Sequence, residues 1–96
     1  MGNTVYLTIL YDYYKNLLTE KQCIYFEDYY FYNLSLSEIA SNNHVTRSAV
    51  NRQINLTVEK LIDYESKLKL YENGLKIKEL IKDLPKKTRE SIEGMI

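Results

Sequence analysis

With 96 residues, 45% hydrophobic and 27% charged, the chain has the composition of one globular domain with a modest core, which excludes a disordered chain and leaves no room for two domains. Thirteen basic side chains balance thirteen acidic ones, so the chain lacks the overall positive charge of a strongly basic nucleic-acid binder. Cys23 and His44 are single copies, which excludes a zinc site built on several thiolates or imidazoles; no cofactor and no metal are expected.

The charge is nevertheless uneven. Residues 1–45 carry two lysines against five acids, and residues 46–96 carry eleven basic residues against eight acids. A polyanion should therefore meet the second half, weakly and in a salt-sensitive way for a single copy. The longest apolar run, residues 5–11, is interrupted by Thr8 and far too short to span a bilayer, and no basic leader precedes it. A cytoplasmic location is expected, with no membrane insertion.

In chain order, Asn3 or Thr4 can cap a first helix running to about Leu18, with Tyr6, Leu10, Tyr13, Tyr14 and Leu17 recurring at three and four residues. Thr19-Glu20-Lys21-Gln22 forms a capping box and restarts the chain as a helix to Phe31 or Tyr32, with Cys23, Phe26 and Tyr30 on its inner stripe. Eight of the ten tyrosines precede Asn33. Their hydroxyls need partners when buried, so the rings should straddle core and surface; the competing use, as stacking platforms for single-stranded nucleic acid, sits poorly with the acidic charge of this half.

Residues 34–56 read as two helices meeting at a short turn. Ser35 and Glu38 make a second capping box, so the first of the pair begins near Leu36, with Ile39 and the small Ala40 facing inward to permit a close helix crossing. The turn, Asn42-Asn43-His44, needs one residue at positive φ, which Asn and His tolerate better than most. Val45 should plug the corner and Thr46 should cap the second helix. On that helix Val50 and Ile54 point back to the core, while Arg47, Ser48, Asn51, Arg52 and Asn55 share the outer side. Arg can bond two acceptors on a guanine edge and Asn can do so on adenine, so the face suits a DNA major groove; solvation of a polar helix is the plainer alternative.

The second helix has no interruption before Asn73-Gly74. Ile54, Thr57, Leu61, Tyr64, Leu68, Tyr71 and Leu75 fall at alternating spacings of three and four, a heptad seam broadened by Val58, Ile62 and Leu70. A helix of roughly 26 residues would be about 39 Å long. Its far end must be buried either by a C-terminal segment folding back at Gly74 or by a second copy, so Ile54, Leu61, Tyr64, Leu68 and Tyr71 are candidate homodimer contacts. Gly74 then separates a helical unit, residues 1–73, from a C-terminal unit, residues 74–96. Residues 75–84 read as a shorter amphipathic helix ended by Pro85, and 86–96 as a tail. Residues 74–89 hold six basic residues against two acids, either a solvated face or a contact for RNA or phosphate.

No catalytic site emerges, and an enzyme is not expected. There is no glycine-rich phosphate loop, the carboxylates are scattered, and Cys23 beside Ile24 and near Phe26 reads as a buried structural thiol rather than half of a Cys-His pair with His44.

Taken together, residues 18–22, Tyr25, Tyr29-Tyr30, Leu36-Ser37-Glu38-Ile39-Ala40, Val45-Thr46-Arg47-Ser48-Ala49-Val50 and residues 61–71 resemble the YlxM family of small bacterial proteins, over roughly residues 5–75. Members of that family look like the promoter-recognising fourth region of sigma factors. The resemblance implies an all-α helix-turn-helix protein that binds DNA as a regulator, with a tie to the signal recognition particle pathway through its protein or RNA; the alternative it carries is an adaptor of that particle without sequence-specific DNA binding. By likeness, Arg47, Ser48, Asn51 and Arg52 match sigma-type base contacts. Asn43 and His44 depart from the usual apolar and Gly or Asn choices, which predicts a looser turn.

Overall fold

A computed structural model describes residues 3–96. The described chain is six α-helices: α1 Thr4–Tyr14, α2 Glu20–Tyr30, α3 Leu36–Asn43, α4 Arg47–Leu68, α5 Leu70–Ile81 and α6 Lys86–Glu93, with a 3-10 turn Lys15–Leu17 after α1. The fold class is all-α, as the sequence predicts. The expected starts are present. Asn3 Oδ1 accepts from the Val5 and Tyr6 amides, at 2.9 and 3.4 Å. The Thr19–Gln22 and Ser35–Glu38 boxes both close reciprocally.

Two apolar clusters hold the helices together. In the first, Leu7, Leu10, Tyr11 and Tyr14 of α1 pack on Phe26 of α2 and Leu61 of α4; Tyr11 stacks on Phe26 with ring centroids 4.5 Å apart. In the second, Tyr25 of α2 meets Ile39 and Ala40 of α3 and Val50 and Ile54 of α4. Helix α4 runs through both, so its one inward stripe joins the helix-turn-helix to the α1–α2 layer. The inner face of α1 is rotated from the expected one: Leu7 and Tyr11 are buried, whereas Tyr6 and Leu17 are exposed. Cys23 is only half-buried, its Sγ 3.5 Å from the Lys15 carbonyl oxygen.

The tyrosines divide by depth. Tyr11, Tyr14 and Tyr25 are buried, and Tyr13, Tyr29, Tyr30, Tyr64 and Tyr71 are half-buried. Tyr11 donates to Glu27 and Tyr64 to the Leu17 carbonyl at 3.2 Å, so burial is matched by hydroxyl partners.

The C-terminal third departs from the sequence reading in two places. Helix α4 ends at Leu68, not at Asn73-Gly74; the break is Lys69, in the left-handed region at φ 55°, ψ 32°. Its cause is tertiary. Buried Glu65 accepts the amides of Tyr71 and Glu72 at 3.2 and 3.0 Å, and the Tyr14 hydroxyl accepts the Leu70 amide at 3.1 Å while donating to Glu65 Oε1 at 2.6 Å. Those are the first free N–H groups of α5, satisfied by side chains from α4 and α1. Gly74 instead lies inside α5, where a Cβ would come within 2.8 Å of Ile96 Cγ2 and 3.3 Å of the Tyr13 hydroxyl. The second departure is residues 86–96. They are not a tail: Lys86–Glu93 is helical and Ile96 reaches back to Gly74.

No helix among the described residues is long and apolar enough to cross a membrane.

Candidate nucleic-acid interface

The turn between α3 and α4 is tighter than its residues suggest. His44 takes φ 56°, ψ 41°, its amide donates to the Ser41 carbonyl at 3.4 Å, and the Val45 amide donates to the Ala40 carbonyl at 3.1 Å. That pair of bonds is a Schellman closure, which satisfies the last carbonyls of α3 and turns the chain sharply. The looser turn inferred from Asn43 and His44 is therefore corrected: Asn43 strengthens the corner by donating from Nδ2 to the Ile39 carbonyl at 2.8 Å. Val45 does not plug the corner. It is 37% exposed and sits at the rim of a shallow groove with Ile24, Tyr25 and Lys21.

At the start of α3, the Ser35 backbone N–H, then its hydroxyl, bond the Glu38 carboxylate and hold its pKa below the usual value. This fixes α3, and α3 fixes the angle at which the next helix leaves. Helix α4 begins where Thr46 Oγ1 accepts the Ala49 amide at 3.1 Å. Behind its first turns, Val50 and Ile54 are buried against Ile39, Ala40 and Tyr25.

On the outer side Arg47, Ser48, Asn51, Arg52 and Asn55 are all exposed. At about 100° per residue they fall within an arc of roughly 140°. Among the described residues no ion pair takes up either guanidinium. The five expected contact residues thus share one surface at the open end of α4. Further along the same helix the exposed charges change sign, with Glu59 and Asp63, the latter paired to Lys67 at 3.0 Å.

The seam residues lie differently. Ile54 is 4% exposed and Leu61 0%, and both pack within the chain, while Tyr64 and Tyr71 pack on the α1 cluster. Leu68 alone is open, at 49%. The heptad spacing is used on α1 and α2 of the same molecule, so these five side chains do not make a free self-association surface here. Glu65, one position beyond Tyr64, was absent from the sequence reading. A buried carboxylate has no periodic signature, and its partner Tyr14 is 51 residues away.

Two helices closed by a left-handed residue, the second presenting its polar face outward from a buried α3 contact, define a helix-turn-helix protein. The family model for UPF0122, described as "Putative helix-turn-helix protein, YlxM / p13 like", matches residues 1–95, and the chain belongs to that family. It is 45% identical over 84 residues to a UPF0122 protein of Fusobacterium nucleatum, covering 86% of this chain and 82% of the relative. A UPF0122 protein of Ureaplasma urealyticum is 45% identical over 75 residues, covering 78% and 76%. One from Staphylococcus epidermidis is 46% identical over 77 residues, covering 80% and 70%.

Proposed function

We propose that this protein is a DNA-binding regulator that lays the start of α4 in a major groove. What carries the reading is the pairing of exposed, ion-pair-free Arg47 and Arg52 with Asn51 on a helix anchored from behind by Val50 and Ile54. Arg47, Ser48, Asn51 and Arg52 act as base-edge readers, and Asn55 bonds a flanking phosphate. Affinity is modest, because few phosphates are reached and the molecule has no net charge. Labelled duplex titrated at rising salt with wild type and the double variant Arg47→Ala/Arg52→Ala tests this. Loss of about 1–3 kcal/mol per base contact is expected; superimposable curves at every salt concentration would end the base-contact role.

A second reading keeps the fold and changes the partner: an adaptor that binds the protein or RNA of the signal recognition particle without reading DNA. It is supported by exposed Ile62, Leu75 and Leu80 on α4 and α5, apolar side chains that a DNA reader does not use. The basic run 74–89 gives it less support, since Lys76, Lys82, Lys86 and Arg89 are paired to neighbouring carboxylates. Recovery of the particle from cell extract, with and without ribonuclease, separates the readings; capture of neither its protein nor its RNA counts against the adaptor.

A further inference from the structure

We propose that Lys69 is a hinge at which α4 and α5 merge into one helix, releasing the α5–α6 arm to occupy the α1 surface of a second copy of this chain. The break itself has no cause in the local sequence. Residues 66–72, Ser-Lys-Leu-Lys-Leu-Tyr-Glu, contain neither Gly nor Pro, and the three-and-four spacing of apolar residues continues through it to Tyr71 and Leu75. A lysine holds the left-handed conformation, which non-glycine residues adopt only when surroundings impose it.

What imposes it is the set of bonds from Glu65 and Tyr14 to the amides of Leu70, Tyr71 and Glu72. In a merged helix the same amides bond the carbonyls of residues 66–68, and Lys69 returns to ordinary helical angles. Amides are satisfied in both arrangements, so neither form leaves a free donor.

The merged helix, residues 47–81, is about 52 Å long at 1.5 Å per residue. It carries α5 away from its own α1. The surface so uncovered is defined by the closed form: Tyr6 and Tyr13 of α1 each lie 6.0 Å from the Tyr71 ring, and Tyr13 reaches Gly74. Its complement is the arm of a second copy, which restores the same contacts between chains. A one-residue hinge held in a costly conformation is the arrangement that favours such exchange.

The test uses the full chain with Cys23→Ser, Ile62→Cys and Leu75→Cys; both introduced cysteines are at exposed positions lining the groove between α1 and the α4–α5 bend, and neither removes a ring of the α1 surface. Isotope-labelled and unlabelled chains are mixed at high micromolar concentration, joined with a short bismaleimide, and the cross-linked peptides weighed. Isotopically mixed peptides support exchange. Their share should rise several-fold with Lys69→Val, which disfavours the left-handed angle, and with Tyr14→Phe, and should fall with Lys69→Gly, which eases it. Peptides that stay isotopically pure in all four proteins, or no cross-link in any, overturn the proposal.

Discussion

The Tyr14 hydroxyl donates to Glu65 and accepts from Leu70, so a single oxygen joins α1, α4 and α5. Burial first, and the bond to Glu65 second, push its pKa up to about 12 from 10.0. The folded state therefore favours the neutral phenol. Its contribution is complete below pH 10 and is lost as pH rises toward 12. Tyr14→Phe should cost about 1–3 kcal/mol in urea unfolding at neutral pH, because it strands the Leu70 amide and leaves Glu65 Oε1 with the Tyr71 amide as its one remaining donor. Between pH 10 and 12 the variant's stability should fall less steeply than that of wild type. Equal slopes would show that Tyr14 does not ionise in concert with unfolding. His44 supplies the opposite case, a residue in a conformation that glycine adopts more cheaply. His44→Gly should stabilise by about 1 kcal/mol, raising the thermal midpoint by several degrees, whereas His44→Val should lower it.

At the scale of elements, the helix starts were legible because capping is local: Thr19 with Gln22 and Ser35 with Glu38 lie within four residues of each other and form the reciprocal bonds their spacing implies. Ser35→Ala should cost about 1 kcal/mol, measured by denaturant melting. The Glu38 half of that box weakens as pH falls through its lowered value, so α3 should fray in acid before α2 does; simultaneous loss of both, followed by amide exchange, would refute this. Ends decided by distant partners were not legible. The stop at Lys69 depends on Tyr14, and the α6 segment on a landing site at Gly74. The outer face of α4 was read correctly as exposed because Val50 and Ile54 fix its orientation from within the same helix. The seam left its partner open because a spacing of three and four states that a stripe is buried, not by which chain; Ile54 and Leu61 are buried within this one.

For the whole molecule, charge and shape matter together. Its extents are 52 × 24 × 22 Å, and its charge runs from acidic in the first 45 residues to basic beyond. On the proposed reading, Arg47→Ala/Arg52→Ala should cost about 1–3 kcal/mol per base contact and relax discrimination between duplex sequences, with little change in the slope of log affinity against log salt. Lys78→Gln/Lys87→Gln, removing cations that lie beyond the far end of α4, should leave both the slope and the discrimination between duplex sequences unchanged.

On the proposed DNA-binding reading, the reversal of sign along α4 sets the angle of approach to a duplex. Arg47 and Arg52 favour the polyanion, but exposed Glu59, about two turns beyond Arg52, repels it, and Asp63 further on is offset by its pair with Lys67. The rod therefore cannot lie flush in the groove along its length. On that reading it enters tip first and steeply, its rear half lifted clear, with a footprint of only a few base pairs for one copy.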